Sequence, residues 1–405
     1  MCVYKPSGIK WLGEIPKHWE ICKLNKVSYF INGYAFESSH FDYSFSIPVI
    51  RIGDIQNDKI IYHTCLMTKE QENLKNFMIY RGDIVIALSG ATTGKFAVCN
   101  SNKKAYINQR VAIIRSDIKI LKYYLSTFGF VNYIDMLCNG SAQPNISTKE
   151  VGNFKIPLPP LQEQKEIAAF LDSKCEKIQN YIDKKQKLIT LLQEKKQALI
   201  NEAVTKGLNP NIESKPSGIE YLGLIPHHWE VRRMKFMASI HNGREQTEIA
   251  DENGIYPIYG SGGILGKSMY FIYDKPSVLL GRKGTIDKPL FVEEPFWTID
   301  TMFYTSISKI VLPKYFYYLC LTIDFQFYIS GSAIPSMTQY DLANISFALP
   351  PLQEQKQIAN FLDEKCEKIN SAIEKTKRQI TLIKEYKNTL INEAVCGRIK
   401  LKEVK

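Results

Sequence analysis

One stretch of 21 residues occurs twice in this chain and constrains what the rest can fold into. Residues 158–178 read LPPLQEQKEIAAFLDSKCEKI and residues 349–369 read LPPLQEQKQIANFLDEKCEKI, agreeing at 18 of 21 positions at a constant offset of 191. The copies are still in step at LINEAV, residues 199–204 and 390–395. The chain is therefore a tandem duplication, and each copy is expected to fold in the same way.

Pro159-Pro160 cannot continue a preceding helix, but Pro160 suits the first turn of a new one, with Glu163 at its positive end. A helix is expected from about Leu161. From Leu171 the positions Leu171, Cys175, Ile178, Ile182, Lys185, Ile189, Leu192, Lys196, Leu199 and Ala203 follow at steps of four and three, a heptad seam. The second copy repeats it with Leu362, Cys366, Ile369, Ile373, Thr376, Ile380, Ile383, Lys387, Leu390 and Ala394. Two such helices bury their stripes most simply against each other within one chain; pairing between two chains is the alternative.

A second repeat precedes each helix. Residues 5–20, KPSGIKWLGEIPKHWE, return as residues 215–230, KPSGIEYLGLIPHHWE, matching at 12 of 16 positions at an offset of 210. Pro, Gly and Ser make turns here, and Trp19 and Trp229 offer apolar anchors. His18 and His228 read as structural neighbours of those rings, because no nucleophile or metal ligand repeats with them. Between motif and helix lie two unlike stretches, residues 21–156 and 231–347, the first longer by 19 residues. Both are rich in β-branched and aromatic residues punctuated by Gly and Asx turns, and each closes with an aromatic helical segment and a loop, Gly140-Ser-Ala-Gln-Pro or Gly331-Ser-Ala-Ile-Pro. The fold class is mixed α/β: two β-rich domains, residues 1–156 and 208–347, separated by long helices at 157–207 and 348–405 that form an antiparallel coiled coil, the whole a pseudo-two-fold tandem repeat.

Several chemistries are excluded by spacing. Gly90–Gly94–Lys95 and Gly262–Gly266–Lys267 have three residues between glycines where a phosphate-binding P-loop needs four, and no methyltransferase NPPY-type tetrapeptide occurs. Asp183 and Glu194 fall on the solvated face of the long helix. The nine cysteines form no CxxC pair, which points to a reduced, cytoplasmic protein without a zinc site. No signal peptide or membrane span is read. A net charge of +11 favours a polyanionic partner.

The order of motif, variable domain and long helix, repeated once, closely resembles the DNA-specificity subunits of type I restriction-modification systems. The resemblance rests on LPPLQEQ at Leu158 and Leu349, on GIKWLGEIPKHWE and GIEYLGLIPHHWE, and on SGATTGK with INQRVAIIR in the first domain. It implies a non-catalytic chain whose two target-recognition domains each read one half of a bipartite double-stranded DNA target. It also implies two modification subunits that carry S-adenosylmethionine, and restriction subunits that use ATP with magnesium, so that no cofactor or metal belongs to this chain. Candidate base-reading residues are Ser89, Thr92, Thr93, Lys95, Asn108, Gln109 and Arg110 in the first domain, and Gly260, Ser261, Arg282, Lys283 and Thr285 in the second. Since the second domain lacks SGATTGK and NQR, nothing is expected to transfer between the two sets. A coiled-coil scaffold would not need two dissimilar β-rich domains, and a self-contained enzyme would need a motif that is missing.

Two expectations follow from the repeat. Residues 5–20 should lie beside the end of the second helix, near 395–402, making the chain nearly circular. The helix pair should act as a ruler for the unread DNA between the half-sites.

Overall fold

The computed structural model describes residues 3–56, 58–139, 143–329 and 335–399. The loop residues 140–142 and 331–334 and the tail 400–405 singled out above lie outside it. The chain divides into two compact units, residues 1–184 with 379–405, and residues 185–378.

The first unit contains strands β1 (Tyr29–Asn32), β2 (Ile47–Ile50), β3 (Leu66–Thr68), β4 (Ile84–Ala87), β5 (Phe96–Val98), β6 (Tyr106–Ile107) and β7 (Val111–Arg115). Then comes helix α1, Leu161–Lys206. The second unit repeats the set as β8 (Ala238–Asn242), β9 (Tyr256–Gly260), β10 (Gly263–Ser268), β11 (Ser277–Gly281), β12 (Leu290–Val292), β13 (Trp297–Thr298) and β14 (Met302–Ile307). Helix α2, Leu352–Val395, follows.

The two units share one topology strand for strand. The four-stranded sheet runs β1-β7-β4-β5 in the first and β8-β14-β11-β12 in the second. The three-stranded sheets run β6-β2-β3 and β13-β9-β10, each with one parallel pair and one antiparallel pair. In the four-stranded sheets the inner strands β4 and β11 carry the apolar runs IVIA and, within SVLLG, VLL, and both strands are buried throughout. That pattern fits strands covered on both faces.

The repeated motifs form the frame around these sheets. Residues 5–20 fold into a small hairpin, Tyr4–Pro6 against Glu14–Pro16, and Glu20–Lys23 then pairs with Lys155–Leu158 just before α1. Ser214–Pro216, Leu224–Pro226 and Glu230–Arg233 do the same before α2. This places both tryptophans over a helix start. Trp19 Nε1 and His18 Nε2 engage the two carboxylate oxygens of Glu163 at 2.8 and 2.7 Å, and Trp229 and His228 engage Glu354 at 3.0 and 2.5 Å. The side chains of Gln164 and Gln355 donate back to the carbonyls of Pro159 and Pro350, securing the sharp entry into each helix.

Both long helices contribute residues to both units. In the second unit Lys196 Nζ donates to Asn370 Oδ1 at 2.9 Å, and Leu199, Glu202 and Ala203 line one cavity with Phe361. Numbers rising along α1 meet numbers falling along α2, so the helices run antiparallel. In the first unit Lys387 of α2 lies close enough to Cys175 of α1 to oppose the rise in its thiol pKa caused by burial. Of the seam, Leu171, Ile178, Ile182, Ile189, Leu362, Ile373, Ile380 and Leu390 are buried, and Leu192, Leu199, Ile369 and Ile383 are half-buried. Near the C-terminal end of each helix Ile200 and Ile391, one position off the seam, are buried as well. A helix with 3.6 residues per turn drifts off a strict seven-residue repeat in this way. Among the described residues no helix is long and apolar enough to cross a membrane.

Candidate nucleic-acid interface

At the end of β4 the chain leaves the sheet as Leu88-Ser89-Gly90, held by hydrogen bonds on both sides. Leu88 N donates to Arg110 O at 2.9 Å; on the other side Ile146 N donates to Leu88 O and Gly90 N to Pro144 O. At the end of β11 the segment Arg282-Lys283-Gly284 is held identically: Arg282 N to Thr301 O, Met337 N to Arg282 O, and Gly284 N to Pro335 O. Gly90 and Gly284 adopt φ of 74° and 84°, the left-handed region where a side chain is disfavoured. The two units therefore build the same three-loop frame.

The two sets of candidate side chains differ, but the backbone that carries them is shared between the domains. The offset of 191 that links the helices also carries Arg110 onto Thr301 and Pro144 onto Pro335. The sequence signal was present, but INQRVAIIR and its counterpart TIDTMFYTS share no residue in that register, because the frame is made by backbone bonds. Side chains on the frame are therefore free to differ.

The candidate residues separate by what their side chains do. Lys95, Gln109 and Arg110 are exposed around the first frame, and Ser89 is half-exposed within it. Thr93 is committed internally, its hydroxyl donating to Gly90 O at 2.7 Å, and Asn108 Oδ1 accepts from Gln109 N at 2.6 Å. Thr92 Oγ1 is buried without a partner among the described residues. Thr93 and Asn108 thus shape the loop. Thr93 and Lys95 also border a cavity of about 470 Å³ against Lys387, Asn388 and Ile391 of α2.

In the second unit Lys283 is exposed, while Arg282 stacks over Phe303 and donates to Asp300 O at 3.2 Å. Ser261 N lies 3.4 Å from Thr301 Oγ1, joining the turn after β9 to the frame. Gly260 is buried, and Thr285 is half-buried with its carbonyl beneath Gly281. A concavity of about 470 Å³ lined by Asn242, Arg282, Lys283, Gln339 and Tyr340 adjoins this frame. Asn242, Gln339 and Tyr340 were not among the residues expected from sequence, because no motif marks them.

Among the described residues no group of three or more His, Cys, Asp or Glu side chains could hold a metal ion. What the frame offers is hydrogen-bonding side chains and cations on fixed backbone, suited to base edges and phosphates.

The sequence profile of the type I restriction modification DNA specificity domain matches residues 16–192 and again 226–382. A putative type I restriction enzyme specificity subunit from Methanocaldococcus jannaschii, MjaX, is 26% identical over 98% of both chains. The EcoAI specificity subunit of Escherichia coli is 31% identical over 39% of this chain and 28% of its own. Among solved structures, a chain from a study of assembly and conformational transition in the type I R-M system matches with a TM-score of 0.72 and 16% identity, covering 95% of this chain and 99% of that one.

Proposed function

This chain belongs to the type I restriction-modification DNA specificity family, a non-catalytic subunit that recognises a DNA sequence, and from that premise we propose that each unit reads one half of an asymmetric bipartite target through its three-loop frame. The observation that carries this is the shared frame with unshared side chains: Ser89, Gln109 and Arg110 in one unit stand where Lys283, Asp300 and Thr301 stand in the other. Exposed Lys95, Arg110 and Lys283 are suited to phosphate or guanine, and Gln109 to adenine. The helix pair sets the interval between half-sites and docks two modification subunits, which supply S-adenosylmethionine. Restriction subunits supply ATP-driven, magnesium-dependent cleavage. The complex works in the cytoplasm.

The test is a domain exchange. Residues 21–156 are replaced by the matching domain of a relative, and the methylated sequence is read from genomic DNA of cells expressing the assembled system. One half of the sequence should change and the other remain; a change in both halves would refute independent reading.

A further inference from the structure

The β9–β10 hairpin ends in an apolar tip directly beside the second frame. Its two-residue turn is Ser261-Gly262, with Gly260 paired to Gly263 and Tyr259 to Ile264. The register then slips, because Ile258 pairs with Gly266, so Leu265 is an extra residue in an edge strand. A bulge of this kind re-aims the side chains around it. Ile264 and Leu265 are consequently both outward, 65% and 54% exposed, where regular alternation would have hidden one of them. Leu265 lies over Gly260, its Cδ1 2.7 Å from where a Cβ would stand, so a larger residue there would push the leucine side chain aside.

The tip is continuous with the frame. Ser261 Oγ lies 3.1 Å from the Cβ position of Gly284, and Ser261 N bonds Thr301 Oγ1. Exposed Lys267 follows Leu265 by two residues in β10, and exposed Lys283 precedes Gly284, the frame glycine that Ser261 approaches. Two neighbouring aliphatic side chains held in water beside cations fit a ligand that is anionic outside and apolar within, and duplex DNA has that character: phosphates outside, thymine methyl groups and stacked base faces inside.

The first unit places different chemistry at the same point. Its β2–β3 connection also lies over the frame glycine, with Ile52 Cδ1 3.4 Å from the Cβ position of Gly90. That connection carries a small hairpin, Ile55–Gln56 against Lys59–Ile60, with Asp58 at φ 60° in a polar turn.

We infer that Ile264 and Leu265 are DNA-contacting residues of the second unit, packing against bases of its half-site next to Lys283. This rests on the frame facing DNA. Two variants of the assembled methylating complex, Leu265→p-benzoylphenylalanine and Lys283→p-benzoylphenylalanine, are irradiated with a duplex carrying the sequence the wild-type complex methylates. Both should crosslink to the same half-site. In parallel, Ile264→Ser with Leu265→Ser should weaken binding to that duplex roughly five- to tenfold, the lower part of the range for a specific base contact. Crosslinking from 283 but not 265, or from 265 only to protein or a second copy of this chain, overturns the inference alone. If neither position reaches DNA, the proposed frame falls as well.

Discussion

Trp19 Nε1 donates to Glu163 Oε2 at 2.8 Å across 144 residues of sequence, and Trp229 Nε1 donates to Glu354 Oε2 at 3.0 Å across 125. The separations differ by the 19 residues that distinguish the two variable stretches, so insertions in the reading domains leave this joint unchanged. Each indole is buried, with Trp19 2% exposed, and its N–H would otherwise be orphaned. Glu163 is the third residue of α1, where the helix dipole also favours its charge.

Removing this acceptor should therefore cost more than its exposed surface suggests. Glu163→Ala should lower stability by about 1–2 kcal/mol, the value for a hydrogen bond to a charged group reduced for partial exposure. Trp19→Phe in the Glu163→Ala background should cost little more through hydrogen bonding, because the donor is then already unpaired. Urea unfolding of the single and double variants measures the coupling; additive effects would show that the bond contributes nothing.

Residues close to the two ends of the described chain meet at the same joint in the first unit. Tyr4 Oη donates to Gly397 O at 3.0 Å, and Arg398 Nη2 donates to Leu12 O at 2.9 Å. Gly397 packs on Pro16 and Trp19 as Gly207 packs on Trp229 and Pro226, both at left-handed φ. Joining the ends and reopening the chain within residues 209–213, which are largely exposed, should then give a permutant with the urea midpoint and DNA affinity of the parent. An insoluble or non-binding permutant would count against the repeat as the folding frame.

Alkaline stability follows from buried acids. Burial pushes the Cys65 thiol up to about 12 and the Cys396 thiol up to about 11, from an ordinary 9.0. Tyr123 and Tyr318 are raised well above 10.0, first by burial and then by donating to Asp172 and Asp363. A raised folded-state pKa contributes stability that is complete below the unfolded value and is lost as pH climbs toward the folded one. The unfolding midpoint should be steady up to about pH 9 and fall from there toward pH 12, with Cys65→Ala flattening the first part of the fall. A midpoint that stays level to pH 11 would contradict it.

The helices and the opening motifs were legible because repetition and heptad spacing are written in side chains that pack. The proposed frame was legible only in part. Ser89, Lys95, Gln109 and Arg110 stood out as polar residues near glycines, yet Thr93 and Asn108 looked the same in sequence and are consumed by Gly90 O and Gln109 N. Local hydrogen bonds of this kind depend on loop conformation, which spacing does not encode. The equivalence of Arg110 and Thr301 was hidden because backbone atoms make it. Ile264 and Leu265 looked like ordinary strand residues, since only the slipped register between Ile258 and Tyr259 turns both outward.

The last expectation concerns the helices as a ruler. Helix α1 is 46 residues long, about 69 Å at ~1.5 Å per residue, and one base pair rises ~3.4 Å. If helix length sets the interval between half-sites, lengthening both strands of the antiparallel pair should lengthen the unread spacer. Four residues inserted between Lys184 and Lys185, with four more between Arg378 and Gln379, add about 6 Å and a net rotation of about 40°. One base pair adds ~3.4 Å and ~34°, and two add ~6.8 Å and ~68°, so distance and rotation change in the sense that DNA requires. Seven-residue insertions preserve the heptad but add about 10 Å with a net rotation of about −20°, against roughly +100° for three base pairs. The four-residue pair should therefore shift the methylated sequence to a spacer longer by one or two base pairs with both half-sites intact, while the seven-residue pair should fold and methylate poorly. Sequencing the methylated DNA decides it, and an unchanged spacer in the four-residue variant would sink the ruler.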